Sequence, residues 1–519
     1  MKKLLGSAMT LALLFPSGPA GAELLKNVKL MGGLDVQSVS GRNIADFSTH
    51  SSPAGGGAGN YPLNNDRLQS VGTRVWAGLG WDLLDDVHAN VTLRKNDRTW
   101  GTTGNVTAAN GSQAIGHRDT AGTATNGILG NIYVDQANVK LDKVFGHVDA
   151  TVGRQFWGDP GDLIAFWGPT NAYTLPVTAI DALSVMASND WMNFMGIAGR
   201  TTGNTWGTYA SVAGAANDVN VRGIDVGWKM LPVKVNTFIW QRVTHGTGAL
   251  GVTSNNGATL GGVNDILYVY GAKLRGEAMG GWFNATVALN SGQNRDVASA
   301  NVAGDPSANA NYIGKALLVD LGYKLEMGDT GGLTPWLNWG WGSGRHDSQS
   351  KHNEDFRTIA SDFRPGVIYG RFPGALGTAL SDAAAFTGGF DGISGAGVNG
   401  VSSAGLTNRV IWGGGVKFNP GAWNKLTAGL SYWDFNYQRA TRRGPTVGGD
   451  AAAMGNRHIG SEVDFQLDWA HSENVMLSAG YASFQPGGFI KETIRAKAPA
   501  TQEGSNPASL FFADLGIKF

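Results

Sequence analysis

Along most of this chain apolar and polar side chains alternate one by one, in runs separated by turn-forming residues. The clearest run is Ser461–Phe484, SEVDFQLDWAHSENVMLSAGYASF, where Val463, Phe465, Leu467 and Trp469 interleave with Glu462, Asp464, Gln466 and Asp468. Strand side chains point to alternate faces, so one face is apolar and the other carries carboxylates and amides. Ser472-Glu473-Asn474 supplies a turn, and Val475, Leu477, Ala479 and Tyr481 begin a return strand. The pattern predicts a β-hairpin.

The same unit recurs in both directions. Val28–Ser38 predicts a first strand, the polar segment Val39–Asp66 a long loop, and Leu68–Asp82 a return strand ending in the short turn Leu83–Asp86. Val87–Trp100 follows, with Val87, Ala89, Val91 and Leu93 on one face and His88, Asn90, Thr92, Arg94, Asn96 and Arg98 on the other. Further strands are predicted at Asn131–Leu141 and Val148–Trp157. In the latter, strict alternation puts Arg154 on the apolar face, and a bulge at Gly153 is the expected remedy. The next loop opens with Asp159-Pro160-Gly161-Asp162 and carries Phe166, Trp167 and Pro169, which suits an inward-folded constriction. Ile180–Ala187 is read as the upper part of one strand centred on Met192–Arg200, followed by strands at Trp206–Gly214, Val219–Met230 and Val233–Val243. The remainder pairs as Leu267–Arg275 with Trp282–Asn290, Leu317–Met327 with Leu333–Trp341, and Arg409–Phe418 with Leu426–Tyr437. The opening hairpin and Ser509–Phe519 complete about 18 strands, with Gly344–Leu406 as the longest loop.

The ends of the chain decide which way the apolar face looks. Met1-Lys2-Lys3, the apolar run Leu4–Phe15 and Ala20-Gly21-Ala22 read as a secretory signal peptide over residues 1–22, leaving 23–519 as one domain. No later stretch is long and apolar enough for a membrane-spanning helix. Ser509–Phe519, SLFFADLGIKF, places Phe511, Ala513, Leu515, Ile517 and Phe519 on one face. A closing amphipathic strand ending in Phe519 is the kind of signal that barrel-assembly machinery reads. The fold class expected is therefore all-β, an antiparallel up-and-down barrel in a Gram-negative outer membrane, with short periplasmic turns and long external loops. Its partners are the lipid bilayer and the solutes that cross it. With 78 Gly, 17 Trp, 12 Tyr and 21 Phe, the composition supplies turn formers and interfacial aromatics.

Forty basic and forty acidic residues cancel, which argues against a nucleic-acid partner, and zero cysteines exclude disulfides, thiolate metal sites and a cysteine nucleophile. Strand parity sends Arg74, His88, Arg94, Arg98, Lys140, Lys234, Arg242, Lys273, Arg275, Lys324, Arg409 and Lys417 to the lumen. Asp82, Asp320, Glu326, Glu462, Asp464 and Asp468 oppose them, about two basic groups to each acidic one. Basic rings in a narrow pore favour anions, although cross-strand pairing that merely solvates the wall is an equal reading for any single residue. His346, Asp347, His352, Glu354 and Asp355 share one loop without a metal-ligand spacing, so no metal and no cofactor are expected. His458 with Asp464 is the one pair that a hydrolase could use, and non-enzymatic passage is the better reading. A passive channel for small polar or anionic solutes explains the charged lumen. A barrel that sheathes a secreted polymer or a periplasmic partner fits the strand count as well.

Three pieces carry a family resemblance: VTLRKNDRTWG (Val91–Gly101), VDATVGRQFWGDPGDL (Val148–Leu163) and GSEVDFQLDWAHSENVMLSAGYASFQPGGF (Gly460–Phe489). They resemble the alginate-export family of outer-membrane proteins. The resemblance implies an 18-stranded barrel whose constriction is lined by arginines that attract an anionic saccharide. On matching positions it assigns that role to Arg94, Arg98 and Arg154, with Arg74 on the adjoining strand. Glu462, Asp464 and Asp468 would oppose them and make the field transverse.

Overall fold

The structure is a computed structural model that describes residues 26–43, 67–99, 132–173, 175–202, 219–231, 233–244, 265–294, 310–344, 352–372, 405–439, 456–491 and 506–519. The expected signal peptide and the strand expected at Trp206–Gly214 lie outside them. One sheet holds 21 strands. Three of these are only two or three residues long, at Ala310–Tyr312, Leu325–Glu326 and His352–Asn353. The other 18 are numbered here in chain order. They are β1 (Lys26–Arg42), β2 (Arg67–Leu84), β3 (Val87–Thr99), β4 (Tyr133–Val144), β5 (Val148–Gln155) and β6 (Ile180–Ser188). Next come β7 (Met192–Thr202), β8 (Val219–Trp228), β9 (Lys234–Thr244), β10 (Asp265–Ala278), β11 (Gly281–Asn294) and β12 (Lys315–Tyr323). The last are β13 (Gly331–Gly342), β14 (Arg409–Pro420), β15 (Leu426–Tyr437), β16 (His458–Ser472), β17 (Val475–Pro486) and β18 (Ala508–Lys518).

Each of the 18 pairs antiparallel with the next, and β1 pairs with β18 from Gly33↔Lys518 to Arg42↔Ser509, so the sheet closes. Phe519 extends the seam by exchanging two 2.9 Å backbone hydrogen bonds with Gly32. Closure satisfies every interior ladder and leaves no edge, the condition for strands to cross a bilayer. Short turns lie at one end, as at Asp85-Asp86, Met279-Gly280 and Glu473-Asn474, and long connections at the other. By that asymmetry the short-turn end is periplasmic. Val75, Val152, Leu183, Leu337, Leu430, Val463 and Phe511 stand exposed on the outer face. Trp191, Trp228, Tyr323, Trp423 and Trp469 are exposed close to the short turns, where amphipathic aromatics meet headgroups.

Four expectations change. Ile180–Ser188 is a strand of its own, paired with both β5 and β7 and joined to β7 through Asn189–Trp191, where the Asn189 side chain accepts the N–H groups of Trp191 and Met192. No register slip occurs at Gly153: the β5–β6 ladder runs unbroken from Val148↔Ala187 to Gln155↔Ile180, although Gly153 has φ +120°. The upper inner face is not polar throughout, because Leu267, Val269, Ile411, Phe435, Phe484, Leu510 and Phe512 are buried there. Finally, residues 352–372 of the expected external loop Gly344–Leu406 turn into the barrel, where Phe356, Ile368 and Phe372 are fully buried.

Candidate functional site

What covers the apolar upper wall is a pair of inward loops. The first, residues 156–179, follows β5 and contains the Asp-Pro-Gly-Asp turn. The second, residues 352–372, precedes β14. They bind each other through backbone: Phe166 N–H donates to Ala360 O at 2.8 Å, Ile359 and Ala360 N–H both donate to Ile164 O, and Asp362 N–H donates to Asp162 O at 2.8 Å. Trp157 and Trp167 of the first loop pack on Trp240 of β9, with ring centroids 6.2 and 6.0 Å apart. Tyr369 of the second stacks on Phe435 of β15 at 3.8 Å, and Phe372 meets Phe512 of β18 at 5.6 Å.

Charged side chains of the wall clasp these loops. Arg74 of β2 pairs with Asp35 of β1 at 2.8 Å and donates to the carbonyls of Thr170 and Leu175. Arg242 of β9 donates to Thr358 O at 3.3 Å, and Lys273 of β10 pairs with Asp162. Arg371 of the second loop pairs with Asp514 of β18 and donates to Asn171 O of the first. Arg409 of β14 donates to the Tyr369 hydroxyl at 2.9 Å. The most economical clasp is Glu462 of β16, which is 0% exposed. Its Oε1 accepts N–H groups from Val367 (2.7 Å) and Ile368 (2.6 Å), and its Oε2 accepts Tyr369 N–H at 3.0 Å. Successive N–H groups converge there because residues 367–371 form a single π-helical turn whose opening donors have no partner in the turn.

The residues expected in the pore are therefore dispersed in role. Arg74, Arg242, Lys273 and Glu462 hold loops. Arg94 faces inward but is buried against Asp135, both of whose carboxylate oxygens lie 2.9 Å from its Nε. Arg98 stands near the top of β3, opposite Thr73 in the ladder. Arg154 does not reach the lumen: it shares the outer face with Asp181, 3.2 Å away. It lies one residue from the strand end, where a charge on the lipid side costs about 0–1 kcal/mol. Arg275 pairs loosely with Asp159 at 3.5 Å, with 52% and 72% of the two side chains exposed. Lys234 is exposed at the periplasmic end of β9, on the same inward parity as Phe238 and Trp240. Asp464 accepts from Ser431 at 3.4 Å beside Glu462, and Asp468 accepts from Gln466 and Ser478. His458 lies 3.1 Å from Asp434 rather than near Asp464, so the two groups of the expected hydrolase pair are apart. His346 and Asp347 lie outside the described residues. Glu354 pairs with Arg439 and Asp355 with Arg357, and no metal-binding group of three forms among the described residues.

A closed 18-stranded barrel with an apolar belt and a narrowed, charged interior fixes the class. The chain folds as a transmembrane β-barrel of the outer-membrane type. No protein-family profile matches it, and no curated protein matches it in sequence. Among solved structures the barrel is similar to Pseudomonas aeruginosa OpdQ, at 10% identity over 96% of this chain and 99% of that one, with a TM-score of 0.48. OpdK of the same organism, solved with vanillate, gives 9% identity, 95% and 99% coverage and 0.49. Its OprD gives 8%, 95% and 94%, and 0.47.

Sequence reasoning missed the inner-loop partners Asp162, Arg371 and Asp514 as a set. Parity counts only strand residues, and Arg371 meets Asp514 across 143 positions of sequence. One signal was present. Leu267 and Val269 alternate with Ile266 and Tyr268, and Leu510 and Phe512 with Phe511 and Ala513, so those segments are apolar on both faces. A strand apolar on both sides is covered on both sides.

Proposed function

We propose that this channel passes small polar solutes passively, favours anionic ones, and selects them beside the clasped inner loops. The observation that carries the reading is the clasp itself. Two loops bonded to each other and to β2, β9, β10, β14, β16 and β18, and to β1 through Gln37, which donates to Asn171 O at 3.0 Å, narrow the lumen with fixed backbone. A sleeve around a polymer or a folded partner needs the space those loops fill, which weighs against the sheathing alternative.

The anion preference rests on the cations below the loops. Lys234 and Lys417 lie on inward positions toward the periplasmic end and are exposed, with no carboxylate partner among the described residues. The Arg275–Asp159 pair is long and solvated, so it contributes little stability and adds no net charge. Asp320 of β12 and Asp468 of β16 flank Lys417 on the same side of the wall, each bonded to neutral amides or a hydroxyl. They temper the positive field, so the preference is modest. The alginate-export resemblance points to anionic saccharides as the solute class, although two of the three arginines it carries, Arg94 and Arg154, are paired with carboxylates.

Swelling of proteoliposomes with size-matched sugars tests this reading. A hexuronate should enter faster than the hexose and the hexose faster than the amino sugar, with trisaccharides slow. Equal rates for mono- and trisaccharide would remove the constriction, and a faster amino sugar would remove the anion preference.

A further inference from the structure

The arginines that the lumen does not receive gather on the outer wall. Cross-strand register sets out three outward rows over β5–β10. The uppermost runs Arg154, Asp181, Arg200 and Asn220. The next runs Leu183, Ala198, Arg222, Gln241 and Tyr268, and the third Val185, Gly196, Ile224, Ile239 and Tyr270. The two lower rows form a groove of about 340 Å³, walled by Leu183 and Val185 on one side and Ile224 and Ile239 on the other. Its lower end meets Phe194, whose ring leans over Gly196.

β7 runs upward to a long connection, so the arginine row stands at the external end and the groove descends from it toward the bilayer centre. Three arginines against one aspartate leave this outer patch two charges positive. Arg154 is taken by Asp181, Arg200 donates to Asn220 at 3.1 Å, and Gln241 donates to Tyr268 at 2.7 Å. Arg222 is exposed and makes no hydrogen bond or ion pair among the described residues. A guanidinium on a lipid-facing wall lifts its head to the interface, and a phosphate oxygen there is its best-matched partner.

We propose that this face holds a phosphorylated, multi-acyl glycolipid of the outer leaflet, with one acyl chain in the groove and a phosphate between Arg222 and Arg200. Both halves of the site are needed: the apolar trough gives depth and the guanidiniums give headgroup selection. This occupant is separate from any solute in the lumen, since the groove opens to lipid.

The test is native mass spectrometry of the full barrel released from nanodiscs containing bisphosphorylated lipid A, its dephosphorylated form, or phosphatidylglycerol. One bisphosphorylated lipid A should be retained per barrel, at least tenfold more than either comparator. Arg200→Gln with Arg222→Gln should abolish that selectivity, and Ala198→Phe, which fills the trough, should lower retention of all acyl forms. The Arg double variant alone decides the headgroup claim if the Phe variant fails to fold, with heat-modifiable migration reporting folding. Equal retention of the phosphorylated and dephosphorylated forms, preference for phosphatidylglycerol, or unchanged selectivity in a folded double variant would overturn the assignment.

Discussion

Replacing Glu462 by Gln is the sharpest probe of the inner loops, because one side chain satisfies three backbone donors of residues 367–369 in a site closed to solvent. In the better of its two flips the amide keeps an oxygen on Val367 and Ile368 and turns its NH₂ against the Tyr369 N–H. A hydrogen bond to a charged group contributes about 1.5–3 kcal/mol and a neutral one about 0.5–1.5. One charged bond is lost and two become neutral, which totals roughly 3.5–6 kcal/mol. The new amide can donate to the nearby Asp464, which favours the lower figure. At about 1.4 kcal/mol per tenfold, a loss near 3.5 kcal/mol raises the population of the released loop by about two and a half decades. Strand pairing of β16 with β15 and β17 does not involve this carboxylate, so the barrel should remain heat-modifiable. Single-channel recording should then show frequent excursions to a larger conductance. A folded Glu462→Gln barrel with the wild-type conductance and dwell times would refute the clasp.

Other outcomes follow from the same geometry. Arg94→Gln leaves Asp135 buried without its cation, which costs about 3–5 kcal/mol, and adding Asp135→Asn should restore most of it; equal urea midpoints for the single and double variants would show that the pair is inert. Deleting Phe519 removes its two bonds to Gly32 and should deplete the barrel from the outer membrane, whereas normal levels would count against an assembly role. An epitope inserted between Glu473 and Asn474 should stay hidden from antibody on intact cells while one placed within residues 245–264 is labelled; the converse would invert the barrel.

How far the sequence carried can be judged from particular strands. The β16–β17 hairpin was legible in its faces and its turn because its alternation is strict and its turn polar: Val463 and Phe465 are exposed on the outside while Glu462 and Asp464 are buried within, and the strands extend beyond the expected Ser461–Phe484 to His458 and Pro486. The total of 18 strands was reached by joining β6 to β7 and counting a strand at Trp206–Gly214, which lies outside the described residues. The joining followed from counting strand directions, which a separate strand at Ile180 would have inverted for every later segment; Asn189 instead closes a turn with its side chain. Arg154 was placed correctly by parity and then moved inside by the assumption that lipid faces exclude charge. A strand end at the headgroups, with Asp181 opposite, relaxes that rule. The clasps were not legible, because they join side chains to the backbone of loops whose path no periodicity specifies.

The most direct measurement is the reversal potential of single channels in a planar bilayer under a potassium chloride gradient, for the wild type and for Lys234→Gln with Lys417→Gln. The account predicts discrete steps, a wild-type reversal potential displaced modestly toward chloride, and a shift toward potassium in the double variant at unchanged fold. Absence of steps, a potassium-selective wild type, or a double variant with the same reversal potential would contradict it.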